Sequence, residues 1–82
     1  MKKTAEYKGY QGAFAQAEDQ TIMGVCFMGE ATASFQAETE AQIQTEFEIS
    51  IDDYLAWAQE DGFPPEKQTD ADIETTVQFM IP

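Results

Sequence analysis

Glu48 and Asp52 are the first residues whose type and spacing could do chemistry. Four apart, they fall on one face of a helix, where two carboxylates can jointly hold a hard cation such as magnesium. Asp53 is turned from Asp52 by about 100° around the same helix and does not join the pair. Two-metal phosphoryl chemistry would need further carboxylates converging from a different element, with Glu18 or Asp19 as the candidates. Spacing alone supplies no such convergence. In a chain with 16 Asp and Glu among 82 residues, an i,i+4 acidic pair is also what chance provides. An exposed, mutually repulsive acidic face is the plainer expectation, and no metal ligand or cofactor is assigned.

Cys26 is the one cysteine, so no intrachain disulfide can form, and it sits in the apolar run TIMGVCFM, where burial is more natural than nucleophilic exposure. The chain has no histidine, which removes Cys-His and Ser-His-Asp catalysis and the usual soft-metal clusters. No glycine stands in the Lys-Ser/Thr context of a phosphate loop. The chain is not expected to be an enzyme.

Surfaces that bind are better supported. On the same helix, Ile49 and Ala56 point away from the apolar stripe, and Ile49 is flanked by Glu46, Glu48, Asp52 and Asp53. An apolar contact inside an acidic rim has the composition of a docking site, although a single exposed isoleucine is also ordinary. Trp57 lies beside the stripe, where it could cover the core edge, receive Phe63 beyond the helix end, or act as a binding anchor. Ile49, Asp52, Asp53 and Trp57 are the candidate partner-binding residues.

The charge points the same way. Four basic against 16 acidic residues give a formal charge of −12, spread from Glu6 to Glu74 and so a property of the whole surface. Such a field repels nucleic acid and accelerates encounter with a basic protein. Thr4 to Tyr10 supplies no apolar stretch of a signal peptide, and no apolar run approaches membrane-spanning length. Cytoplasmic residence without membrane contact is expected.

The elements that must position these residues begin with extended segments over residues 7–17, 21–28 and 31–37, separated by the polar breaks Glu18-Asp19-Gln20 and Gly29-Glu30. Short breaks between sequential strands predict a three-stranded antiparallel meander. The period then changes. Thr39 and Gln42 have capping-box spacing, and Ile43, Phe47, Ile51, Tyr54, Leu55 and Ala58 form a stripe about 120° wide. A long amphipathic helix is predicted over residues 40–61, with Gly62 as its left-handed cap and Pro64 and Pro65 preventing resumption. Residues 66–72 read as irregular. Ile73, Thr75, Val77, Phe79 and Ile81 alternate with polar residues, which predicts a C-terminal strand over residues 73–81 returning to the sheet. The expected architecture is one α+β domain over residues 1–82.

The stretch FQAETEAQIQTEFEISIDDYLAWAQEDGFPPEK, residues 35–67, resembles the HicB-like antitoxin family through Thr39, Phe47, the block Ser50-Ile51-Asp52-Asp53-Tyr54-Leu55, and the ending Gly62, Pro65, Lys67. Tyr7 with Gly9, and Asp19 with Gly24 and Val25, fit more loosely. The resemblance implies a partial ribonuclease-H-like domain: three antiparallel strands, a helix and a further strand. It also implies an antitoxin-like role, in which the chain neutralises a small basic mRNA-cleaving toxin of the HicA-like type by occluding its active surface. The family's usual C-terminal DNA-binding domain has no counterpart in these residues. Two alternatives stand beside this: a homo-oligomeric structural or regulatory module associating through Ile49 and sheet edges, and a metal-dependent nuclease using the helix carboxylates.

Overall fold

The computed structural model describes residues 2–79. A turn sets its beginning. Lys8 and Gly9 both have positive φ, 52° and 89°, as the two central residues of a type I′ hairpin require. Tyr7 and Tyr10 close the turn by exchanging backbone hydrogen bonds of 2.8 and 3.0 Å. The chain therefore doubles back within the stretch read as a strand over residues 7–17, and an extra strand precedes it. β1 (Lys2–Lys3) pairs antiparallel with β2 (Ala13–Gln16). β3 (Ile22–Met28) and β4 (Ala31–Ala37) lie where expected, each antiparallel to its predecessor. The expected three-stranded meander is thus a four-stranded sheet in the order β1-β2-β3-β4.

Helix α1 (Glu40–Asp61) has its expected bounds. Thr39 is the N-cap residue, but its side chain makes no capping bond; the Gln42 N–H reaches the Thr39 carbonyl at 3.1 Å instead. At the other end Gly62 is left-handed, its N–H donating to Gln59 O and the Phe63 N–H to Ala58 O at 3.3 and 3.1 Å. These two bonds make a Schellman ending. Ile43, Phe47, Ile51 and Ala58 are buried along the stripe, and Tyr54 and Leu55 are half-buried. They meet the sheet face carrying Phe14, Ile22, Cys26, Met28 and Phe35, with the Phe35 and Phe47 rings 5.2 Å apart. Each large side chain buried there contributes on the order of 2 kcal/mol. Gly24 leaves room for the Phe35 ring: a Cβ at that position would lie 2.5 Å from Phe35 Cζ and 2.9 Å from the Ala13 carbonyl.

The last element corrects the expected architecture. In place of a returning strand over residues 73–81, the chain forms α2 (Asp70–Phe79), and Met80 and Ile81 fall outside the described residues. The partial ribonuclease-H-like arrangement, which ends in a strand, is therefore not the fold. The physical reason lies in two competing periods. Residues 73–79 alternate, but Asp72, Ile73, Thr76 and Val77 also repeat at helical spacing, and it is these four that are half or fully buried. The start signal decides. Thr69 and Asp72 form a reciprocal capping box, with Thr69 Oγ1 accepting from Asp72 N at 3.2 Å and Asp72 Oδ2 accepting from Thr69 N at 2.9 Å. The same Asp72 oxygen accepts from Gly29 N at 3.0 Å and ties the helix start to the β3–β4 turn.

The segment before α2 completes the sheet. β2 and β3 pair as far as Ala13 and Val25, and the same register carried two residues further would set Gln11 against Phe27. The Gln68 side chain fills that place, bonded to Gln11 N, Gln11 O and Phe27 O at 2.6, 2.7 and 3.0 Å. Thr76, 1% exposed, accepts from Phe27 N at 3.0 Å and donates to the Asp72 carbonyl at 2.8 Å. Ala13 and Val25 point to the side of the sheet opposite the α1 core and are also buried; besides α1 and the neighbouring strands, α2 is the element packed against β3. No helix among the described residues is long and apolar enough to cross a membrane.

Candidate protein-docking surface

The α1 ending builds the most distinctive surface of the molecule. In a Schellman ending the residue after the glycine tends to pack back on the last helical turn. Here Phe63 packs edge-on against Trp57, ring centroids 4.8 Å apart at 75°, and Tyr54 flanks the indole at 6.4 Å. Trp57 does receive Phe63, as its spacing allows, yet it stays 55% exposed. Tyr54, Trp57, Phe63 and Pro64 form one wall of a groove of about 360 Å³, and the β3–β4 turn with Glu30, Ala31 and Thr32 forms the other. Glu66 joins the rim.

The groove is held from below. Glu66 N donates to the Tyr54 hydroxyl at 2.7 Å, and the Tyr10 hydroxyl donates to Glu66 O at 2.5 Å. Both backbone groups of Glu66 are thereby tied, one to α1 and one to the sheet core. Burial pushes the Tyr10 hydroxyl pKa up, so it stays a donor across the physiological range.

The four residues singled out in the sequence do not form one patch. Ile49 is 46% exposed, two turns before Trp57 and about 12 Å along the axis. Asp53 is exposed. Asp52 is engaged within the chain: the Tyr7 hydroxyl lies 3.0 and 2.9 Å from its two oxygens, and Lys8 Nζ lies 2.8 Å from Oδ1. Lys8 and then Tyr7 hold the Asp52 carboxyl below the ordinary carboxylate range, and Asp52 in turn raises the pKa of both partners. The type I′ turn puts Lys8 in reach, stacked 5.3 Å above the Tyr7 ring. This cluster ties the N-terminal hairpin to α1.

Glu48, the proposed companion of Asp52, accepts from Gln44 Nε2 at 3.1 Å. The two carboxylates thus have separate partners, and no group of three metal-capable side chains converges among the described residues. Cys26 is fully buried, its thiol pKa pushed up to about 12 by burial. Phe63, Pro64, Glu30 and Glu66 were not among the sequence candidates. The placement of Trp57 and Phe63 on either side of Gly62 signals the first of these, whereas Glu30 and Glu66 meet only through the tertiary fold.

Comparison with models of known protein families, with curated proteins and with solved structures yields no match.

Proposed function

We propose that this chain is a non-enzymatic protein-binding module that docks a basic protein partner in the cytoplasm. The observation that carries the reading is the exposed indole of Trp57 in an aromatic groove rimmed by Glu30 and Glu66, on a chain of formal charge −12. Exposed tryptophan in a preformed apolar groove is the usual anchor of an interface, and surrounding charge of one sign speeds encounter with the opposite sign. The resemblance over residues 35–67 supplies the specific form: occlusion of a small basic mRNA-cleaving toxin. That form rests on the helix block and its Gly-Pro-Lys ending, since the C-terminal element is a helix.

Self-association and metal-dependent cleavage have less support. Copies at this charge repel one another, and among the described residues the helix carboxylates join no group of three metal-capable side chains. Co-expression with the product of the adjacent gene is the test. The expected result is a salt-sensitive complex with a small basic protein whose RNA cleavage stops at stoichiometric addition. Undiminished cleavage beside an excess of folded chain would overturn the toxin-neutralising role.

A further inference from the structure

We propose that the groove between α1 and the β3–β4 turn is a receptor for an arginine side chain of the partner, with the guanidinium lying on the Trp57 indole and bonded to the Glu30 and Glu66 carboxylates. The inference rests on the basic-partner reading and adds the site and the residue recognised.

Three features of the groove select the occupant. Its wall is aromatic, and Phe63 meets Trp57 edge-on, so indole surface remains for a flat group. Tryptophan is the strongest aromatic acceptor of a cation. Its rim carries two carboxylates that make no ion pair or side-chain hydrogen bond among the described residues. A wholly apolar occupant would strip water from both without compensation, whereas a cation restores what is lost. A guanidinium is planar, less tightly hydrated than an ammonium, and has donors enough for two carboxylates while it stacks. Arginine therefore fits better than lysine.

The site is also preorganised. Phe63 is fixed by its backbone bond to Ala58, Glu66 by Tyr54 and Tyr10, and the opposite turn by the bond from Gly29 to Asp72. Little ordering entropy is then lost on binding. The molecule carries its own comparison: a second apolar groove, lined by Tyr10, Leu55, Pro64 and Pro65 and flanked by Lys8 and Lys67, has no carboxylate in its lining to pair with the same cation.

Trp57 is the one tryptophan in the chain, so its emission and indole N–H resonance report on this site alone. The probe is the peptide acetyl-Gly-Arg-Gly-Arg-Gly-amide, titrated against its lysine and citrulline counterparts. The expected result is a saturable shift of the Trp57 indole resonance together with the Gly29, Glu30 and Phe63 amides. The lysine peptide should bind at least about threefold more weakly, and the neutral citrulline peptide should leave Trp57 unmoved. Glu30→Gln with Glu66→Gln should weaken the arginine peptide by about fivefold or more, with the exposed Glu6→Gln as an unaffected control. Shifts scattered over the acids of α1 without saturation at Trp57, or equal binding by the double variant, would overturn the assignment. So would a basic partner captured equally well by folded Trp57→Ala and Trp57→Phe variants, an outcome that leaves the basic-partner reading intact.

Discussion

The side-chain amide of Gln68 is bonded to both backbone groups of Gln11, accepting from the N–H at 2.6 Å and donating to the carbonyl at 2.7 Å. It thereby takes the place of a strand residue at the point where β2 and β3 part, and its second donor hydrogen serves Phe27 O at 3.0 Å. Gln68→Ala removes three hydrogen bonds to strand backbone groups, so a loss of about 2–3 kcal/mol is expected. Gln68→Glu should cost more, because a carboxylate would face two carbonyl oxygens. Urea titration measures both; a loss under about 0.5 kcal/mol for the alanine variant would mean that water substitutes for the amide.

Gly24 is fixed by space. A methyl group there falls against the Phe35 ring and the Ala13 carbonyl, the second of which is backbone and cannot swing aside. Gly24→Ala should destabilise by about 2–4 kcal/mol. Adding Phe35→Leu should recover part of the loss despite the smaller core residue, a sign reversal for a substitution that is destabilising alone. Thermal unfolding of the two single variants and the double variant reads this directly.

Asp72 gives a pH dependence with a defined sign. Bonds from Thr69 N and Gly29 N hold its carboxyl pKa below the ordinary value. A carboxyl depressed in the folded state contributes stability above its unfolded pKa of about 3.9 and loses it as the pH falls through the folded value. Asp72→Ala should therefore melt at a lower temperature than the parent at neutral pH, and the gap should close in acid. The gap is the quantity to follow, because protonating the other carboxylates relieves the repulsion of a −12 chain and moves both proteins together.

Cys26 should be inert in the folded protein. With no solvent exposure and a pKa of about 12, its thiolate population is lower than that of a free thiol by about a thousandfold. Ellman's reagent should react only as the chain opens, and at once in denaturant. Gln68 Nε2 lies 3.4 Å from Sγ, so Gln68→Ala should accelerate labelling out of proportion to its effect on global stability. An unchanged labelling rate would place the opening route elsewhere.

Where several independent signals agree, the fold is legible in the sequence. The α1 bounds follow from a stripe of six apolar residues between Ile43 and Ala58, a glycine after the last turn and two prolines beyond it. β3 and β4 follow from dense apolar content between polar breaks. The C-terminal element carries two periods at once, and the alternation of Ile73, Thr75, Val77 and Phe79 is more visible than the helical repeat of Ile73, Thr76 and Val77. The capping box at Thr69 and Asp72 is the signal that separates them. The N-terminal turn is similarly local: Lys8-Gly9 between two tyrosines is a hairpin signature. Gln68 is a different matter. A glutamine in a polar segment has no property from which a role between two distant strands can be inferred, because its partners are backbone groups and leave no trace in residue type. The docking groove was half visible, through Trp57 and Phe63, and the two glutamates that define its charge come from opposite sides of the fold.

The rung between Gln11 and Phe27 is made by a residue 57 positions after the first and 41 after the second. Translation runs at about 5–20 residues per second, whereas hairpins close in about 1–10 μs. The sheet and α1 are thus free to assemble on the ribosome while the splayed ends of β2 and β3 still wait for Gln68. During that interval the nascent protein has a fully formed sheet with one unclosed slot, open to any extended chain that offers an N–H and a C=O. A transcript or protease that ends the chain before residue 68 would make that transient form permanent, turning a closed sheet into one that recruits strands.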